Sequence, residues 1–97
     1  MNAKPQPMIA VEPLSKNEWL VTVKAGTTTQ HRVRVTPDDL RRLGGEPASA
    51  QRFLEASFRF LLDRESNTSI LSSFDLLVIG RYFPEFEREI GRYLPKE

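Results

Sequence analysis

Residues 17–24, NEWLVTVK, alternate strictly, with Trp19, Val21 and Val23 on one side and Leu20, Thr22 and Lys24 on the other. HRVRV, residues 31–35, does the same, setting His31, Val33 and Val35 against Arg32 and Arg34. Two such runs separated by a short glycine-containing turn specify an antiparallel hairpin over 17–24/30–36. Side chains alternate with a period of two, so a one-residue slip would set the arginines beside the valines. Paired residue numbers must therefore sum to an even number. Pairing Trp19 with Val35, Val21 with Val33 and Val23 with His31 meets that condition and leaves Gly26-Thr27-Thr28 as the loop. The hairpin then has a dry face and a charged face, and the dry face needs cover. MIAVE, residues 8–12, offers a third strand, with Ile9 and Val11 on one side and Pro13 as its end.

The cover comes from helices that follow. TPDDLRRLGG carries full helix punctuation over 37–43: Thr36 as N-cap, Pro37 at the first position, Asp38 and Asp39 at the positive end of the dipole, Arg41 and Arg42 in the last turn, and Gly44 beyond it. Over 48–64, Ala50, Phe53, Leu54, Ser57, Phe58, Leu61 and Leu62 fall on one helical stripe, with Arg52, Glu55, Arg59 and Asp63 on the back. SNTS ends that helix. ILSSFDLLV then fits either a helix or a strand, and residues 74–80 stay open between the two. A last helix is expected over 84–94, with Phe86, Ile90, Tyr93 and Leu94 along one side. The fold class is α+β: an antiparallel two- or three-stranded sheet covered on one face by helices 37–43, 48–64 and 84–94.

At 97 residues and 39% apolar content the chain supplies one core, so 8–97 reads as a single domain behind a flexible tail at 1–7. A domain this small gains by covering apolar surface with a second copy, and a homodimer is the expected state. The formal charge is +1, from 14 basic and 13 acidic residues, which gives no global field for a polyanion. Ten of the 14 cations are arginine, a bias toward planar, bidentate contacts. There is no cysteine, which removes disulfides, thiolate nucleophiles and sulfur-ligated zinc. No apolar run has the length of a signal-peptide core or the ~20 residues of a membrane span, so a soluble, cytoplasmic protein is expected.

FLLDRE, NTSILSSFDL and VIGRYFPEFE, with WLVTV and HRVRVTPDDL before them, resemble a small uncharacterised bacterial family of single-domain proteins marked by FLLxRE, FDL and RYFPEFE patterns. The resemblance spans roughly residues 17 to 90 and implies one compact unit; the family's function is unknown and it implies no catalytic residue. A looser similarity, of architecture only, is to HicB-like antitoxins, in which a helix backs a small sheet; their proline- and glycine-rich strand end is missing here.

Few residues point to chemistry. His31 is the only histidine and lies on the apolar parity of its strand, where a packed imidazole is the ordinary role. Ser72 and Ser73 have no other histidine to serve as base. Asp38 and Asp39 are explained by the helix dipole, and Gly44-Gly45 lacks the spacing and lysine of a phosphate loop. These features argue against an enzyme, and no cofactor or metal site is implied. Two surfaces are candidates for binding. Lys24, Arg32 and Arg34 on the outer sheet face, extended by Arg41 and Arg42, form a candidate anion or nucleic-acid face. No aromatic accompanies them to stack a base. Phe60, which falls off its helix's main stripe, is a candidate interface residue with Tyr82, Phe83 and Tyr93, unless the RYFPEF aromatics close the core instead. The leading expectation is a non-enzymatic, self-associating protein-interaction module. Nucleic-acid binding is the alternative.

Overall fold

The computed structural model describes residues 7–94; the expected tail lies almost entirely outside them. Strands β1 (Met8–Ser15), β2 (Glu18–Lys24), β3 (Thr28–Arg34) and β4 (Ser73–Asp75) form one sheet in the order β1-β2-β3-β4. The first three are antiparallel, and β4 joins β3 in parallel through Arg32–Ser73, Val33–Phe74 and Arg34–Asp75. The sheet is therefore mixed and four-stranded, not an antiparallel sheet of two or three strands. The helices are α1 (Pro37–Arg42), α2 (Ala50–Leu62), α3 (Ile79–Tyr82) and α4 (Phe86–Glu89), with 3₁₀ turns at Pro47–Ser49, Asn67–Ser69, Leu76–Val78 and Ile90–Arg92.

The hairpin keeps the expected parity but not the expected register. Trp19 faces Val33, Val21 faces His31, Val23 faces Thr29 and Lys24 faces Thr28, so the loop is Ala25-Gly26-Thr27. Shifting by two places Glu18 opposite Arg34, an opposite-charge pair, and lets the Val35 N–H donate to the Asn17 carbonyl at 2.9 Å. The valines stay dry either way: Val21, Val23 and Val33 are fully buried.

That Asn17–Val35 bond also fixes which backbone groups face which neighbour. The odd residues of β2 bond to β3 and its even residues to β1, so in β1 the outward-facing groups belong to Ile9, Val11 and Pro13. Pro13 does not end the strand. It sits on the free edge, where a missing N–H costs the ladder nothing, and an irregularity between Pro13 and Ser15 follows it.

Helix α1 is capped as its sequence indicates. The Asp39 N–H donates to Thr36 Oγ1 and the Thr36 N–H to Asp39 Oδ2, both at 3.1 Å. At its other end the Gly44 N–H donates to the Arg41 carbonyl and the Gly45 N–H to the Leu40 carbonyl, a double closure that needs the positive φ of 85° at Gly44. Gly45 is required for space, since a Cβ there would lie 2.6 Å from the buried Phe53 ring.

Helix α2 is buried on more than the single expected stripe. Phe53, Leu54, Ser57, Phe58 and Leu61 pack toward the sheet, and Ala56 and Phe60 form a second buried flank. Ser57 satisfies its hydroxyl by donating to the Phe53 carbonyl at 2.8 Å. The second flank is closed by the chain after Pro84, which is not one helix over 84–94 but α4 followed by a 3₁₀ turn through Gly91. Residues 74–80 are neither all helix nor all strand: β4 takes the first two of them, then a 3₁₀ turn leads into α3.

Candidate functional site

The candidate interface aromatics separate into covered and exposed members. Phe60 is fully buried, with Phe86, Tyr93 and Phe83 edge-on at centroid distances of 5.0, 5.7 and 6.0 Å. It is core, not interface, because α2 has the second buried flank. Phe83 and Tyr93 are half-buried in closing that flank. Tyr82 alone stays out, 66% exposed.

Arg64 locks this closure and is not among the candidate residues singled out in the sequence. Its guanidinium lies 3.7 Å above the Phe60 ring centroid, and its Nε and Nη2 donate to Glu85 and Glu89, each at 3.0 Å. Nη1 donates to the Phe60 carbonyl at 3.1 Å, while the Tyr93 hydroxyl donates to Asp63 at 2.6 Å. Partial burial opposes the guanidinium charge, but hydrogen bonds to Tyr93, Glu85 and Glu89 outweigh it and raise the Arg64 pKa. Glu85 is held below the usual carboxylate range by a backbone hydrogen bond at its own N–H and then by Arg64.

A second polar cluster fixes the crossover into β4. His31 is 2% exposed, and its Nδ1 lies 2.8 Å from the Leu71 carbonyl. A carbonyl only accepts, so Nδ1 carries a hydrogen and donates, while Nε2 shares a hydrogen bond with the Thr29 hydroxyl at 2.8 Å. Asn67 Nδ2 donates to Thr29 Oγ1 at 2.9 Å and to the Thr27 carbonyl at 2.7 Å. Both ring nitrogens are thus committed to structure, which leaves Ser72 and Ser73 no histidine base. Asn67→Ala should destabilise the fold by about 1–2 kcal/mol, since it removes the two hydrogen bonds by which the buried Asn67 side chain holds the hairpin loop. Chemical denaturation checks this, with the midpoint falling at unchanged slope.

Beside that crossover lies an apolar groove of about 180 Å³, lined by Leu61, Ile70, Phe74, Val78, Ile79 and Phe83. Its rim holds Leu71, 49% exposed, and Tyr82. A cavity of ~150 Å³ holds a benzene, so this one accepts a single aromatic or branched side chain. It is small for a substrate, whose sites run to roughly 300–1,000 Å³. Hollows of about 280 and 300 Å³ also exist, but exposed Arg59 lines both, with Arg52 at the first and Lys24 at the second.

The outer sheet face does carry Lys24, Arg32 and Arg34. The register adds Glu12 opposite Leu20, Glu18 opposite Arg34, and Asp75 on the other side of Arg34. Three cations and three acids share this face, and its field largely cancels. Arg41 and Arg42 are exposed on α1, where Arg41 pairs with Asp38 at 2.7 Å. Among the described residues no group of three or more His, Asp or Glu side chains could hold a metal ion, and no helix is long and apolar enough to cross a membrane.

Comparison with protein-family models, curated proteins and solved structures finds no match of any kind.

Proposed function

We propose that this protein is a non-enzymatic protein-interaction module that self-associates through the groove between β4 and α3. The observation that carries this reading is that two of the four exposed large apolar side chains among the described residues, Leu71 and Tyr82, stand together on the rim of a groove sized for one side chain, whereas Met8 and Leu14 lie apart on β1. Tyr82 is an aromatic with an apolar body and a polar tip, the kind of residue that anchors contacts. The nucleic-acid alternative draws less support, because the acids at positions 12, 18 and 75 share the face of its arginines.

Light scattering on size-exclusion peaks tests the reading. The wild-type chain should run as a concentration-dependent dimer, and Tyr82→Glu should weaken the dimer by roughly tenfold or more while leaving circular dichroism unchanged. A dimer indifferent to Tyr82→Glu and Leu71→Glu would place the contact elsewhere.

A further inference from the structure

The two edges of the sheet are not equivalent. On β1 the outward positions are Ile9, Val11 and Pro13, and the proline and the irregularity after it are devices that discourage a further strand. On β4, Arg32 N–H donates to the Ser72 carbonyl, so residues 72 and 74 face β3 while the backbone groups of Ser73 and Asp75 face outward. No proline lies within β4, and Ser72, Ser73 and Asp75 are exposed. This unguarded edge adjoins the groove, whose wall includes Phe74.

Resting on the self-association proposed above, we infer that two copies meet edge to edge through β4, antiparallel about Phe74, making one continuous eight-stranded sheet. The chemistry of the strand is self-complementary in that register. Ser73 of one copy lies opposite Asp75 of the other on the outer face, so a hydroxyl donor meets a carboxylate at both ends and no carboxylate faces another directly. The two Phe74 residues pair on the inner face, where each borders its own groove, and Leu71 and Tyr82 come to the boundary between copies. A three-residue edge supplies few main-chain bonds, so apolar contact must contribute the rest and the dimer is weak.

The chain has no cysteine, so introduced thiols report the register cleanly. In the inferred pairing, residues 73 and 75 of opposite copies have Cα atoms ~5.5 Å apart, within disulfide reach, whereas 73 to 73 and 75 to 75 are more than about 8 Å apart. A mixture of Ser73→Cys and Asp75→Cys chains under mild oxidation should give the cross-linked heterodimer, and neither variant alone should link. Amide exchange at Ser73 and Asp75 should slow as protein concentration rises, with Ile9 and Val11 unaffected. A dimer that links in either variant alone, lacks the mixed link, or protects Ile9 and Val11 instead overturns the β4 pairing but not self-association. A monomer at every concentration overturns both.

Discussion

Phe60→Ala should lower stability by about 4 kcal/mol, the cost of a large cavity at a fully buried aromatic site. A domain of this size has roughly 5–10 kcal/mol in hand, so the variant should sit near the edge of unfolding. The effect reaches beyond lost volume. Phe86, Phe83 and Tyr93 all pack edge-on against this ring, and Arg64 lies over its face. Removing it should loosen the whole C-terminal segment. Phe60→Leu keeps most of the volume and should cost about 1–2 kcal/mol. Urea denaturation of the two variants measures the difference. An exposed interface Phe60 would give the opposite result, an alanine variant as stable as wild type with altered association.

Arg64→Ala should cost about 2–3 kcal/mol and lower the melting midpoint by roughly 10–20 °C. The side chain joins α2 to Glu85 and Glu89, which come from the far end of the chain, and without it two partly buried carboxylates lose their guanidinium partner. Arg64→Lys should recover only part of the loss, because an ammonium cannot make two planar contacts and stack on Phe60 at once. The same pair sets a pH dependence. Glu85 is depressed in the fold, so its contribution is present above its unfolded value of about 4.3 and is lost as pH falls through the folded value. Wild-type stability should therefore decline as acid is added below about pH 4. In Arg64→Ala that decline should be shallower, since the Arg64 hydrogen bond and charge are gone while the backbone bond at Glu85 and the charge of Arg88 remain.

What the sequence discloses follows the strength of each local pattern. Alternation over 17–24 and 31–35 is enough to sort dry valines from wet arginines, because any even-sum register gives the same faces. It cannot choose between two even sums; that choice rests on the Glu18–Arg34 pair and the Asn17–Val35 bond at the open end. Thr36, Asp39 and Gly44 announce α1 because capping is local chemistry. The stripe of α2 is legible, yet Phe60 lies outside it, and one stripe is the wrong count for a helix between a sheet and a second layer. The i,i+4 line of Ala56, Phe60 and Arg64 is the signal that points to that second flank. Strand β4 is three residues long in a parallel pairing, too short to show alternation, so its placement beside β3 emerges only with the tertiary fold. Pro13 reads as a strand end in isolation and is harmless on an edge. Of the candidate binding residues, Tyr82 is exposed, and the arginine face acquires Glu12 and Asp75 from other parts of the chain beside Glu18 of the hairpin itself.

In the self-association proposed above, apolar surface beside β4 holds two copies together. Sedimentation equilibrium of the wild-type chain at low and high salt tests it most directly. A reversible dimer whose dissociation constant holds or tightens as salt rises is the expected result, since salts that are excluded from protein surface favour apolar burial. A monomer throughout, or a dimer that comes apart steeply as salt is added, would contradict it.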